Sequence, residues 1–463
     1  MARLLLIFLV PVLLIISIPL YLFVFKSTPP VPEMDLNAWW GPEQQKAKQD
    51  TSIKPYKVSF SPDVIKDLKD RIKRRRALTP PLEGIAFEYG FNTKELDNWL
   101  KYWSEEYPFA ERETFLNQFP QFTTNIQGLN IHFIRVKPEV PAGVEVVPLL
   151  LLHGWPGSVR EFYEAIPILT SVSKDRNFAL EIIAPSLPGY GFSDPAIRPG
   201  LGVAEIAVIV RNLMQRLGYK QYYIQGGDWG SVICSALATL FPKEILGLHL
   251  NLAFTLNPAG TFLEFLGSFY PPLIMDSSIV HWKYPLLSKY ADLVEESGYL
   301  HIQATKPDTV GVGLTDSPAG LLAYILEKFS TWARLEYRSK PDGGLSLKWT
   351  KDQLLDNIMI YWTTKSIVTS MRLYSENFNK RQLGYQLDLI PTPVPTWLLQ
   401  AQYEISYQPP CVLKLKYPNL VNETLFHDGG HFLAFELPRP FSEDVLKAVD
   451  QFRKLNKNVK TEL

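Results

Sequence analysis

The sequence predicts an α/β protein in which a helical segment interrupts a largely parallel sheet. Three observations carry this. Largely apolar runs at residues 146–152 and 178–184, the second broken only by Glu181, suit strands buried on both faces. A helical pattern at 203–217 leads to a third short apolar run at 222–225, and a new helical segment begins at Ser231. From about residue 257 to 369 the strand signal fades and helical, aromatic-rich segments dominate; strands return at 396–400 and 423–426. One sheet with a helical insert satisfies all three.

At 463 residues the chain is too long for one compact core of ordinary size, so one large decorated domain or two domains are expected. Residues 4–25 carry no charge, a run long enough to cross the roughly 30 Å hydrocarbon core of a bilayer as a helix. The competing reading, a cleaved signal peptide, fits less well: the run is long and no small-x-small cleavage site follows. Instead a Pro-rich extended spacer follows from Lys26 to Pro32. Arg3 and Lys26 nearly balance across the run, so flanking charge leaves orientation open. The adjacent Trp39 and Trp40 read as a packing patch near the membrane. Ser61-Pro62-Asp63 reads as a helix start, Val64, Ile65, Leu68 and Ile72 recur at helical spacing, and the basic run from Lys73 to Arg76 closes that helix with a solvated face. Residues 122–126 and 129–136, joined by Gln127-Gly128, read as a β-hairpin. The resulting division is an anchor at 1–26, an N-terminal extension at 27–121, a first part of the sheet domain at 122–256, a helical insert at 257–385 and a second part at 386–463.

The 47 basic and 47 acidic residues give zero formal net charge, which argues against a nucleic-acid partner. The two cysteines, Cys234 and Cys411, build neither a disulfide framework nor a cysteine-rich metal site.

Chemistry concentrates at strand ends. In Gly226-Gly227-Asp228-Trp229-Gly230-Ser231 small residues flank one functional side chain between a strand and a helix, the spacing of a nucleophile elbow. The central residue is Asp, not Ser or Cys. A carboxylate is already ionised at neutral pH and attacks an sp³ carbon directly, giving an ester on the enzyme. The plainer reading is a glycine-rich turn with a helix-capping Asp. His153-Gly154-Trp155-Pro156-Gly157 follows a buried strand and reads as an oxyanion-hole loop, with the N–H groups of Trp155 and Trp229 as donors. His153 itself reads as a loop-orienting residue, and Trp155-Pro156 is a candidate cis bond. The glycines around Tyr190 do not fit a dinucleotide-binding loop. His431, after Gly429-Gly430, is the candidate base, with His427 as a rival. Glu404, beyond the strand at 396–400, is the acid that orients it, with Asp428 and Glu423 as alternatives. The order Asp, Glu, His is that of the α/β-hydrolase fold.

Together the Trp39-Trp40-Gly41 segment and the motifs HGWPGS, PGYGFS, GGDWGS and DGGHF make the chain resemble the microsomal-type epoxide hydrolases, and within them the insect juvenile hormone epoxide hydrolases. The resemblance runs almost end to end. It implies an α/β-hydrolase fold with a helical cap, Asp228 as nucleophile and Glu404 and His431 as the water-activating pair. It also implies two cap tyrosines, Tyr299 and Tyr374, that donate to the epoxide oxygen; the residues alone do not single these out. The expected substrate is a lipophilic epoxide, with Trp155 and Trp229 lining its site. No metal or organic cofactor and no obligate protein partner are expected. The resemblance further implies an endoplasmic reticulum membrane with the catalytic part facing the cytosol. On that reading the sequon at Asn422 stays unused.

Overall fold

The computed structural model describes residues 27–461. Nine strands form one sheet: β1 (Lys54–Tyr56), β2 (Gln121–Ile126), β3 (Leu129–Val136), β4 (Glu145–Leu152), β5 (Phe178–Pro185), β6 (Tyr222–Gly226), β7 (Ile245–Leu250), β8 (Thr396–Ala401) and β9 (Leu420–Phe426). Their order is β1-β2-β3-β5-β4-β6-β7-β8-β9. Strands β1, β2, β3 and β5 pair antiparallel in succession, and from β5 through β9 every pair is parallel. The chain leaves β4 for β5 on one side and returns to β6 on the other. The crevice beyond the C-terminal ends of β4 and β6 is therefore a topological switch point, where open α/β sheets place their ligands.

Local chemistry explains the elements. Gln127 and Gly128 both have positive φ (52° and 90°), the left-handed pair that a two-residue hairpin turn requires. Strand β5 is buried at all eight positions, as a strand covered on both faces must be, and its one charged residue, Glu181, is paired with Arg135 at 2.8 Å. Ser61 caps the helix Pro62–Arg74 by accepting the Val64 N–H at 3.3 Å. Trp40 is buried on the hairpin turn, its N–H donating to the Gln127 carbonyl at 2.8 Å, so the tryptophan pair packs on the protein's own turn.

Three expectations change. Strand β7 is central, between β6 and β8, yet the sequence did not reveal it, because Gly247 and His249 interrupt its apolar run. Gly247 lies so close to Phe452 that a Cβ would stand 2.1 Å from the ring, and His249 Nε2 is 3.0 Å from Asp444 Oδ2. The edge strand β1 is too short to register as a pattern. The helix after β6 begins at Asp228, three residues earlier than the sequence suggested. It enters against the sheet because Gly230 has no side chain: a Cβ there would lie 2.0 Å from the Leu152 carbonyl oxygen.

The segment between β7 and β8 is helical throughout and covers the switch point. Its helices include Gly298–Thr305, Pro318–Thr331, Lys351–Thr364 and Ile367–Asn377. The membrane-spanning segment expected at 1–26 lies outside the described residues. Among the described residues no single helix is long and apolar enough to cross a membrane.

Candidate active site

Asp228 occupies the turn from β6 into its helix with φ +47°, a left-handed conformation unusual for a side chain other than Gly. That conformation projects the carboxylate above the sheet. Oδ1 accepts the backbone N–H of Trp155, from the loop after β4, at 2.7 Å. The approach requires Gly154, where a Cβ would fall 2.0 Å from that same oxygen. Trp229 follows Asp228 in the first helical turn, where backbone N–H groups lack intrahelical partners.

The loop after β4 is tied down from below and above. His153 is buried; its Nε2 accepts the Leu187 N–H at 3.1 Å, while Nδ1 is 3.0 Å from the Gly154 carbonyl. Burial pulls its pKa down to about 4, so it is a neutral orienting group, as its position after a strand suggested. From the cap, Asn357 donates to the Pro156 carbonyl at 2.8 Å and accepts from Ser158 Oγ at 2.7 Å, and Tyr361 donates to the Gly157 carbonyl at 2.8 Å. The Trp155-Pro156 bond is cis.

His431 lies between two carboxylates. Its Nδ1 is 2.7 Å from Glu404 Oε1, and its Nε2 is 3.2 Å from Asp228 Oδ2. The second contact has the distance of an ion pair but not the alignment of a hydrogen bond, and Nε2 has no hydrogen-bonded partner. Burial depresses the imidazole pKa, yet the charges of Glu404 and Asp228 outweigh it and hold His431 well above the usual histidine range. The rivals fall away. His427 is exposed against Trp282. Asp428 pairs with Lys348, and Glu423 hydrogen-bonds Gln400. Neither acid meets the His431 ring, whereas Glu404 also accepts the Ile405 N–H at 2.8 Å and is fixed in place.

The cap closes the site with rings. Tyr299 starts the helix Gly298–Thr305 and stacks on Trp155 at 5.4 Å, interplanar 4°. Tyr374, from Ile367–Asn377, stands edge-on to Trp229 at 4.7 Å and 5.9 Å from Tyr299. Burial, with the Asp228 charge adding to it, raises both phenols well above the ordinary tyrosine value, so both remain O–H donors.

All seven residues expected at the site converge on this crevice. Others there were missed. Glu161 and Asn251 line the cavity with Asp228 and His431. Burial pushes the Glu161 carboxyl up to about 8. Trp332 packs on both His431 (4.8 Å) and Tyr299 (4.9 Å). Asn251 follows directly on β7, so recognising that strand would have marked it; Glu161 and Trp332 carry no local signal.

Residues 53–162 match the family described as Epoxide hydrolase N terminus, and residues 147–280 match the alpha/beta hydrolase fold. Juvenile hormone epoxide hydrolase of Bombyx mori is 68% identical over 463 residues, all of both chains. Epoxide hydrolase 1 of Oryctolagus cuniculus is 45% identical over 420 residues, covering 89% of this chain and 92% of its own. The crystal structure of the Bombyx mori juvenile hormone epoxide hydrolase superposes with a TM-score of 0.91 at 69% identity, covering 91% of this chain and 100% of that one. Aspergillus niger epoxide hydrolase follows with a TM-score of 0.71 at 27% identity, covering 88% and 98%. Identity of this depth over the whole length, joined to a carboxylate elbow under two phenols, leaves one assignment: the chain belongs to the epoxide hydrolase family, among the enzymes of the juvenile hormone type.

Proposed function

We propose that this chain hydrolyses lipophilic epoxides, juvenile hormone among them, to vicinal diols through a covalent ester on Asp228. The supporting observation is the placement of one carboxylate with its two oxygens in different surroundings. Oδ2 is the nucleophile and attacks the less hindered epoxide carbon. The C–O bond breaks, and the leaving oxygen takes a hydrogen bond, then a proton, from Tyr299 or Tyr374. Ester formation removes the negative charge of Asp228. One of the two charges that raised the His431 pKa is then gone, and the imidazole becomes a competent base. It takes a proton from water, which attacks Cγ of Asp228, while Glu404 holds the imidazolium. The carbonyl oxygen Oδ1 becomes the oxyanion at the N–H groups of Trp155 and Trp229. Collapse expels the diol alkoxide, which is protonated from His431; the acid proton left on Asp228 passes to the tyrosinate formed in the first step, so Asp228 returns as carboxylate and the phenol is restored. Every step is carried by side chains and backbone of this chain.

Substrate preference follows from two supports: the aromatic lining of Trp155, Trp229, Tyr299, Tyr374 and Trp332, and the identity to relatives named for juvenile hormone. Diol formation from juvenile hormone and from styrene oxide, with wild type and Asp228→Ala side by side, tests it. Hormone turnover that disappears in Asp228→Ala supports the reading. Turnover of styrene oxide alone moves the assignment to general epoxide detoxification, and no turnover of either by folded protein overturns it.

The same reading makes residues 4–25 a single-pass anchor in the endoplasmic reticulum membrane, residues 27–121 an extension on the core and residues 257–385 the cap, with the catalytic part in the cytosol. The uncharged length of the run supports the anchor. Carbonate extraction and protease protection test the topology. A glycan at Asn422 would place the catalytic part in the lumen instead.

A further inference from the structure

The turn that carries His431 is gripped by a carboxylate that the mechanism above leaves unused. The Glu436 side chain is fully buried, 0% exposed, yet does not line the cavity around Asp228. Its Oε1 accepts the backbone N–H groups of Gly430 and Phe432, each at 3.1 Å, and Oε2 shares the Gly430 N–H at 3.1 Å. The amides on both sides of His431 thus end on one carboxyl group. The amide between them, that of His431 itself, donates to the Trp332 carbonyl at 2.9 Å, beyond the cap helix Pro318–Thr331. Gly430 is pressed against that same point: a Cβ there would lie 2.4 Å from the carbonyl oxygens of Trp332 and Ala333. Lys348 bridges the far side, 3.2 Å from Asp428 and 3.8 Å from Glu436.

Burying a carboxyl group is costly unless its hydrogen bonds are met, and N–H bonds to a carboxylate are the strong kind. Burial pushes the Glu436 carboxyl up to about 8; ionised or protonated, it presents an oxygen that accepts both amides. We propose that Glu436 is a positioning residue for His431, setting the imidazole for the hydrolysis of the ester rather than for its formation. The inference rests on the two-step reading above. In the first step His431 moves no proton. In the second, Nε2 must meet a water aligned on Cγ of Asp228, a contact tolerant of a few tenths of an ångström.

Single-turnover rapid quench with juvenile hormone, using the full chain in detergent and mass analysis of the Asp228 peptide, reads the two steps separately. In Glu436→Ala the ester forms within about threefold of the wild-type rate and decays about 10²-fold more slowly, the loss that a misplacement of roughly 1 Å produces. Glu436→Gln keeps an oxygen for both amides and decays within about tenfold of wild type, because hydrogen-bond reach rather than charge sets the geometry. Glu436→Asp keeps the charge, cannot reach both amides, and carries the test if the Ala variant does not fold; its ester also persists. Equal slowing of both steps, or unchanged decay in Ala and Asp variants, overturns the inference. A wild type that never shows an ester overturns the two-step reading itself, a different outcome.

Discussion

Replacing Asp356 by Ala removes the carboxylate on which the segment before β2, the loop region after β4 and the helical segment between β7 and β8 converge. Asp356 lies on the cap helix Lys351–Thr364 with its side chain 0% exposed. It accepts from Tyr107 Oη at 2.9 Å, from Arg112 Nε and Nη2 at 2.9 and 2.5 Å, and from Arg160 Nε at 2.9 Å. Tyr107 and Arg112 precede β2 in the chain; Arg160 follows the loop after β4. Breaking a buried pair from one side costs about 3–5 kcal/mol, because the partner charge stays buried and unpaired. The lower half of that range applies. Arg160 keeps its fork to Glu164 (2.8 and 2.9 Å), and Arg112 is only partly buried. At a urea m-value of about 3 kcal/mol/M, a loss of about 3–4 kcal/mol lowers the midpoint by about 1 M. Urea unfolding of the full chain in detergent, followed by tryptophan fluorescence, measures it. Asp356→Asn, which keeps acceptor oxygen but not charge, falls between. Because neighbouring Asn357 holds the Pro156 and Ser158 positions, the Ala variant also loses activity before it loses fold. A midpoint shift equivalent to less than about 1 kcal/mol, the range of an exposed pair, would refute the reasoning.

Three further expectations concern the chemistry. Tyr299→Phe and Tyr374→Phe each slow ester formation about 10²-fold, the usual cost of one donor at a developing oxyanion, and the double variant loses far more; equal ester formation rates in all variants would remove the phenols from the mechanism. The rate of ester decay falls as pH drops through the His431 pKa of the ester form, because the base must be neutral. Glu404→Gln removes the remaining charge that raises it, so this acidic limb moves to lower pH while the plateau drops; a limb that moves upward would contradict the assigned electrostatics. Gly154→Ala places a Cβ 2.0 Å from Asp228 Oδ1, so diol formation is lost; an active Gly154→Ala enzyme would mean that the loop and Asp228 do not approach as described.

The legible parts of the molecule are those whose function constrains neighbours in sequence. The elbow was readable because close backbone approach demands small residues around one Asp, and the His431 turn because two glycines precede it. The hairpin announced itself through Gln127-Gly128, and β4, β5 and β6 through largely apolar runs, broken only by Glu181 in β5 and Gln225 in β6. Strand β7 was not readable, since a glycine under Phe452 and a histidine bonded to Asp444 look like loop residues until those partners are placed. The phenols were a matter of resemblance: 22 tyrosines are present, and only the docking of the helices around 299 and 374 selects two. Asp356 and Glu436 were invisible for the same reason. Each acts through the fold, Asp356 on residues some 196–249 positions away and Glu436 on backbone amides that every residue type offers.

The central claim is that water attacks the enzyme and not the epoxide. One turnover of substrate with enzyme in excess, run in ¹⁸O water, decides it. The expected first-turnover diol carries unlabelled oxygen from Asp228, and label appears in the peptide that contains Asp228. Label in the first-turnover diol, with an unlabelled Asp228 peptide, would contradict it and make His431 the direct activator of water on the epoxide.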